Sequence, residues 1–431
     1  MGVDSALYSG VSGLNANSNS MNVIGNNLSN SQTTGFKAER SLFSDMLASE
    51  VASASGSSQI GRGVGLSTVD REFSQGSFKD TGINTDMAID GDGFFMVSDP
   101  DQEGTKYTRD GSFRFDDEGN LVNASGYRVQ GYDIDEDGNA GGQLNDIHAD
   151  LSGSIEPSAT TEASFATNLN QDAEEIAGGF SIDDPNASSN FSASVNVYDS
   201  LGTSHQDTIY FTKTGENEWE YNVTVPEDEV DSGLDTGGGL ARVADGTLEF
   251  DDDGSFDSGT AGTDGSITDN IITTVNLPWN NGSVDNQPLD IALDLSQYSG
   301  ESTLVSKSQN GFASGTLEDV SVDEDGIITG AYSNGQSRDL AQVGLAKFAN
   351  PNGLLQDGNN LFTETQASGL ASVGPPGSGA GTIRSNSLEQ SNVDIAEQFS
   401  DMIVTQRAYQ ANSRTITTSD EMLQEVINLK R

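Results

Sequence analysis

The two ends of this chain carry apolar side chains at helical spacing, and the long stretch between them does not. Near the amino terminus Val3, Leu7, Val11, Leu14, Met21, Ile24 and Leu28 recur at steps of three, four or seven, which marks one face of a helix. The opposite face is Ser and Asn, including Asn15, Asn17, Ser18, Asn19 and Asn22, whose side chains compete for backbone hydrogen bonds. Gly10, Gly13 and Gly25 weaken the helix further. Such a segment is helical only when something covers its stripe. At the other end Ile395, Phe399, Met402, Tyr409, Ile416, Leu423 and Ile427 trace a heptad seam, with Gln406, Ser413 and Asp420 in its skipped positions. Ser391 or Asn392 is placed to cap this helix, Asp394 and Glu397 suit its first turn, and Lys430 and Arg431 suit its end. The two stripes predict an antiparallel, coiled-coil-like helix pair. Met402, Ile403, Val426 and Leu429 fall partly off a single seam, which leaves apolar surface and a reason to oligomerise.

The formal net charge is −48, from 67 Asp and Glu against 19 Lys and Arg over 431 residues. Residues 1–60 carry about −2 and residues 385–431 about −3, so the middle holds nearly all of the excess. Phosphate contacts need Lys and Arg, so nucleic acid and anionic membrane surfaces are not expected partners. The charge keeps the middle soluble and self-repelling, which a saline exterior or an acid-rich proteome explains equally well. There is no Cys, hence no disulfide framework or thiolate chemistry. No apolar run approaches the length of a membrane span, and Met1-Gly2-Val3-Asp4-Ser5 does not begin like a cleaved secretory leader.

Composition and period change along the chain. Leu42, Phe43, Met46 and Leu47 predict a second short helix, and the Ala/Ser/Gly-rich residues 49–58 a linker. From about Gly61 the period falls toward two. Ala88-Ile89 and Phe94-Phe95-Met96-Val97 flank the turn Asp90-Gly91-Asp92-Gly93. Alternating runs at 191–198, 208–212 and 219–225, and again at 317–322, 327–332 and 343–348, predict further strands. The expected organisation is α+β and multidomain. Residues 1–32 form an axial helix that pairs with 384–431, and 33–75 connect it onward. Residues 76–150 with 306–367 form an inner β-domain, 151–305 an inserted all-β domain, and 368–383 a linker.

Little in the sequence points to catalysis, and no catalytic, cofactor or metal residue is expected. Asp133-Ile-Asp135-Glu-Asp137-Gly138-Asn139 resembles the start of a calcium loop, but its twelfth position is Leu144 and its flanks are strand-like. Similar clusters recur at Asp116–Asn120, Asp251–Gly254 and Asp323–Gly326, which favours hairpin turns needing positive φ over weak calcium binding. Gly61-Arg62-Gly63-Val64-Gly65 has the wrong spacing for a dinucleotide fingerprint. His148 and His205 are the only histidines, and neither has a visible partner.

Several blocks carry a family resemblance. Ser12-Gly-Leu-Asn-Ala-Asn17 and Met21-Asn-Val-Ile-Gly-Asn-Asn-Leu-Ser-Asn30, continuing to Thr33-Thr-Gly-Phe-Lys37, resemble the amino-terminal signature of flagellar rod and hook axial proteins. Asp86-Met-Ala-Ile-Asp-Gly-Asp-Gly-Phe-Phe95 and Tyr107-Thr-Arg-Asp-Gly-Ser-Phe113 are similar to that family's next block. Ser387-Leu-Glu-Gln-Ser-Asn-Val-Asp394, Thr405-Gln-Arg-Ala-Tyr-Gln-Ala-Asn412 and the tail through Asp420-Glu-Met-Leu423 are similar to its carboxy-terminal signature. The matched blocks cover roughly residues 1–135 and 310–431. Length and the insert at 151–305 resemble the hook rather than the rod members; a distal rod protein with a large insertion is the near alternative, and an extracellular β-rich adhesin the distant one.

The resemblance implies a subunit that assembles with itself into a short curved tube joining rod to filament and transmitting torque. It implies helix-pairing and polymer contacts at Leu7, Val11, Leu14, Met21, Ile24, Leu28, Ile395, Phe399, Met402, Ile403, Tyr409, Ile416, Leu423 and Ile427. It further implies export as an unfolded chain through the flagellar type III apparatus without a cleaved signal peptide, an extracellular location, and rod, hook-cap and hook–filament junction proteins as partners. Weak contacts between acidic inserts would then set the curvature.

Overall fold

The amino-terminal stripe lies on a 28-residue helix, α1 (Gly2–Ser29), and the carboxy-terminal one on a 34-residue helix, α2 (Ile395–Asn428). These belong to a computed structural model that describes all residues except 1, 47–48, 54–55, 101, 136–137, 139, 151–152, 232, 262–264, 267–270, 285 and 429–431. Leu429, Lys430 and Arg431 therefore lie outside the described residues, as do Leu47, Asp137 and Asn139, and the side chains of Val3 and Val426. The helix pair is antiparallel. Asn27 Nδ2 donates to Gln398 Oε1 at 3.1 Å. Further along, Gly13 lies against Asn412 and Gly10 against Ile416, so the numbers fall on one helix as they rise on the other.

Helix α2 starts later than its sequence suggests. Its cap is Asp394, whose Oδ1 accepts the N–H groups of Ala396 (2.8 Å) and Glu397 (3.2 Å). Asn392 is otherwise engaged: its amide donates to Glu72 O at 2.7 Å, and its Oδ1 accepts from Ala38 N at 2.7 Å. Residues 384–389, expected in the helix, lie in strands: Thr382–Ser385 pairs with Met87–Asp90, and Ser387–Glu389 with Phe78–Asp80. The expected linker also contains a short strand, Ser372–Gly374, paired with Leu345–Lys347.

The predicted helix around Leu42 is instead a strand. Here β1 (Glu39–Asp45), β2 (Ser49–Ser53), β3 (Gly56–Ile60) and β4 (Val64–Arg71) form two nested antiparallel pairs, β1 with β4 and β2 with β3. The expected linker at 49–58 is thus part of an arm. A short apolar run does not distinguish strand from helix by period, and here pairing with β4 decides it. Asn27 pins the arm to α1: its Nδ2 donates to Glu39 O (2.7 Å) and its Oδ1 accepts from Glu39 N (2.9 Å), as a neighbouring strand would.

The chain divides into two compact units, Met1–Leu151 with Asp319–Gly330 and Ser337–Arg431, and Ser152–Glu318 with Ala331–Gln336. In the first, Phe94–Asp99 pairs with Gln102–Thr108, Arg128–Ile134 and Leu345–Lys347. Phe94, Met96, Tyr107, Phe348, Leu354 and Phe362 form its aromatic core, with Phe73 packed against them. The rings meet edge to face, as their quadrupoles favour: Phe94–Phe348 at 5.8 Å and Tyr107–Phe348 at 4.7 Å.

The second unit has one sheet of four strands and one of seven, whose inward side chains share a single core. Strand Gln287–Tyr298 alternates buried and exposed along its length, as a sandwich strand should. Trp219 and Trp279 are both buried here, and each indole N–H reaches a glutamine: Gln297 Oε1 at 2.6 Å and Gln287 Oε1 at 3.1 Å. The strands expected at 191–198, 208–212 and 219–225 are all present.

The recurrent acidic clusters close hairpins by one pattern. In Asp116–Asn120, Asp251–Ser255 and Asp323–Ile327 the first residue's N–H donates to the fifth residue's carbonyl, and the glycine N–H returns to the first carbonyl. The glycines adopt φ of 87°, 83° and 74°, which a side chain disfavours. Among the described residues no group of three His, Asp or Glu side chains is arranged to hold a metal.

Candidate assembly interface

The face by which the helices touch is built from small and polar residues. On α2 the most buried side chains are Thr405 and Ser419, 8% and 6% exposed. On α1 the buried positions are Gly10, Gly13, Ala16, Ile24 and Asn27. A Cβ built on Gly13 would lie 2.6 Å from Asn412 Nδ2, and one on Gly10 2.9 Å from Ile416 Cγ1. The glycines that weaken α1 as an isolated helix are thus what lets α2 approach it.

The residues expected at this interface fall into two sets. Ile24 is buried, and Leu7, Leu14, Met21, Leu28, Met402, Ile416 and Leu423 are half-buried. Val11, Ile395, Phe399, Ile403, Tyr409 and Ile427 are exposed, Ile403 by 50% and Ile427 by 66%. Only one line of the expected seam turns inward. Its companion line is Gln398, Thr405, Asn412 and Ser419, and the other apolar residues point to solvent. Tyr8 adds to the exposed set on α1.

Beneath the start of α2 lies a charge cluster that the sequence did not reveal. Glu389, with its side chain fully buried, places Oε1 2.7 Å from Lys37 Nζ and Oε2 3.4 Å from an Arg109 guanidinium nitrogen. Lys37 also donates to Ser74 O (2.8 Å), Gly76 N donates to Glu389 Oε1 (2.8 Å), and Arg109 donates to Gly91 O (2.9 Å). Burial lowers the Lys37 pKa, and the neighbouring carboxylate of Glu389 acts the other way. These three charges come from three separate motif blocks, those at 33–37, 107–113 and 387–394. The cluster joins the segment after α1, the β-core and the strand before α2 into one buried knot. No described helix is long and apolar enough to cross a membrane.

Comparison with known proteins agrees with this layout. Four family profiles match in order: flagella basal body rod protein at residues 7–37, flagellar hook protein FlgE/F/G D1 domain at 88–176, flagellar basal body protein FlaE D2 domain at 168–312, and flagellar basal body rod FlgEFG protein C-terminal at 384–429. The chain is 35% identical over 463 residues to the flagellar hook protein FlgE of Treponema pallidum, covering 99% of each. It is 35% identical over 429 residues to that of Escherichia coli, covering 99% of this chain and 100% of the relative. A crystal structure of Helicobacter pylori flagellar hook protein FlgE2 shares the fold with a TM-score of 0.51 at 17% identity, covering 72% of this chain and 100% of that one. Near-complete coverage at this identity, with motif blocks that converge on one buried knot, shows that the chain belongs to the flagellar hook protein family.

Proposed function

We propose that this chain, a subunit of the flagellar hook, polymerises through the apolar face that its terminal helices leave open, and that the polymer is a curved tube joining rod to filament outside the cell. The exposed row Ile395, Phe399, Ile403, Tyr409 and Ile427 on α2 carries this reading. Each such side chain contributes roughly 1.5–3 kcal/mol when fully buried. A head-to-tail contact that does not close on itself yields an open helix of subunits.

In that assembly helices α1 and α2 lie innermost, in coiled-coil-like pairing through the small-residue face. Residues 33–75 connect the helices to the β-structure, 76–150 with 306–367 form one β-domain, and 151–305 the inserted one. The rod, the hook cap and the hook–filament junction proteins are the neighbours at the tube's ends, and the type III export apparatus delivers the subunit. A joint that transmits torque while bent must let subunits slide, and acidic outer surfaces favour weak, replaceable contacts.

Seeding purified subunit with basal-body fragments at low and high salt tests this by electron microscopy. Curved tubes growing from rod tips, more readily at high salt where acid repulsion is screened, are the expected outcome. Persistent monomers at every salt concentration would contradict it.

A further inference from the structure

Strand Ser204–Gly215 carries His205, Asp207 and Lys213 on its inward face, in one row with the core residues Ile209 and Phe211. His205 Nδ1 lies 2.7 Å from Glu229 Oε2, and Nε2 lies 3.3 Å from Asp199 Oδ2. Its ring stacks on Trp279, with centroids 3.7 Å apart and planes within 11°. So the histidine that looks partnerless in sequence has three partners in the fold.

The surroundings are tightly organised. Asp199 Oδ1 accepts the N–H groups of Leu201 (2.9 Å) and Thr203 (2.8 Å), and the Asn281 amide donates to its Oδ2. Glu229 ends the short 3-10 turn Glu227–Glu229. The Trp279 loop holds that turn: Asn280 N donates to Glu229 O at 3.0 Å, Asn280 Nδ2 donates to Asp228 O at 2.7 Å, and Val230 bridges to Trp279. Asp207, by contrast, is 1% exposed and neither carboxyl oxygen has a hydrogen-bond partner. Its register neighbour is Val195, and that of His205 is Val197. The next strand contributes Val223 and Val225 to the same core, so Asp207 lies among apolar side chains of both neighbouring strands. The charge that acts on it is Glu229.

Two ring-to-carboxylate contacts need two protons, and a neutral imidazole carries only one N–H. A second proton must therefore reside on the ring or on a carboxyl. An unpartnered carboxyl in an apolar wall likewise holds its proton, because a buried bare charge is far costlier than a buried neutral acid.

We propose that Asp199, His205, Asp207 and Glu229 form a proton-loaded switch: this unit takes up protons as it folds near neutral pH, and it loses stability as they are lost in alkaline medium. Burial first, and then the Glu229 charge, raises the Asp207 pKa well above the usual carboxylate range. Asp199 is desolvated too, but hydrogen bonds from Asn281, Thr203 and His205 outweigh this and hold its pKa below the usual value. Asp199 thus stays ionised. The sign follows: between the unfolded carboxyl value near 4 and the raised folded value, the folded state binds more protons, so stability falls as pH rises.

The test uses the full chain, whose only two tryptophans both report on this unit. Denaturant unfolding followed by Trp fluorescence should show the folding constant of the wild type falling by up to about tenfold per pH unit relative to Asp207→Asn, the effect of one extra proton. Asp207→Asn should be the more stable protein at pH 8. An equal pH slope in the two proteins, or a less stable variant at pH 8, would overturn the role of Asp207. Should Asp207→Asn not fold, unfolding the wild type in unbuffered solution at pH 7 decides: proton release across the Trp transition supports the switch, and none refutes it.

Discussion

Replacing Glu389 with alanine is expected to lower the stability of the first unit by about 3–5 kcal/mol, the usual loss when one partner of a buried ion pair is removed. The carboxylate answers two buried cations, Lys37 and Arg109, and also receives the Gly76 N–H. Without it, two positive charges remain in a site closed to water. Glu389→Gln keeps the shape but replaces one carboxylate oxygen by an amide nitrogen and removes the charge, so it should also destabilise, though less. Adding Lys37→Met to Glu389→Ala should restore part of the loss, because one stranded cation is gone. Urea unfolding by far-ultraviolet circular dichroism measures these differences. Both tryptophans sit in the other unit, so the fluorescence transition should stay where it is. A loss below about 1 kcal/mol, the range of an exposed pair, would mean that the knot is not what holds the segment after α1 to the strand before α2.

Substituting Phe399 and Ile403 together by aspartate should leave the monomer within about 0.5 kcal/mol of wild type, as for other surface changes, and should abolish tube formation. Both side chains are about half exposed in the subunit. In a polymer the same two positions would bury charge against an apolar neighbour, at several kcal/mol per contact. The inner face should respond in the opposite order. Gly13→Val drives a branched side chain into Asn412, so α1 should separate from α2 and lose helicity before assembly is even tested. Circular dichroism of the monomer and sedimentation of the polymer distinguish the two faces. Tubes formed normally by the double aspartate variant would exclude this face from the contact.

These contrasts show what the sequence made legible. Helical spacing located both helices, and period-two runs located the strands of the insert, because each pattern is local. The inward face of α2 was only half legible. A heptad reading assigns apolar residues to the seam, whereas Thr405 and Ser419 are buried, Asn412 lies against Gly13, and Phe399 stays outside. A close approach of small residues leaves no apolar signature, and an apolar row reserved for another subunit imitates one. Leu42 and Phe43 lie in a strand that the sequence leaves open to a helical reading, because a run this short has no clear period and the deciding partner, β4, lies beyond the β2–β3 pair.

The charged knot was invisible for a different reason. Lys37 and Glu389 are 352 residues apart, and no spacing rule relates them. Each stands in a motif block, however, so a charged residue inside a signature that has no surface role was the available hint. His205 is similar: its partner Asp199 is near in sequence, but Glu229 and Trp279 arrive through the fold of the unit.

The central claim is that the outward apolar faces of α1 and α2 become the polymer contact. Amide hydrogen exchange, compared between monomer and assembled tubes, tests it most directly. The account predicts that exchange across residues 7–28 and 395–427 slows by at least tenfold on assembly, while the already protected core strand Phe94–Asp99 is unchanged. Equal exchange of the two helices in monomer and tube would contradict it.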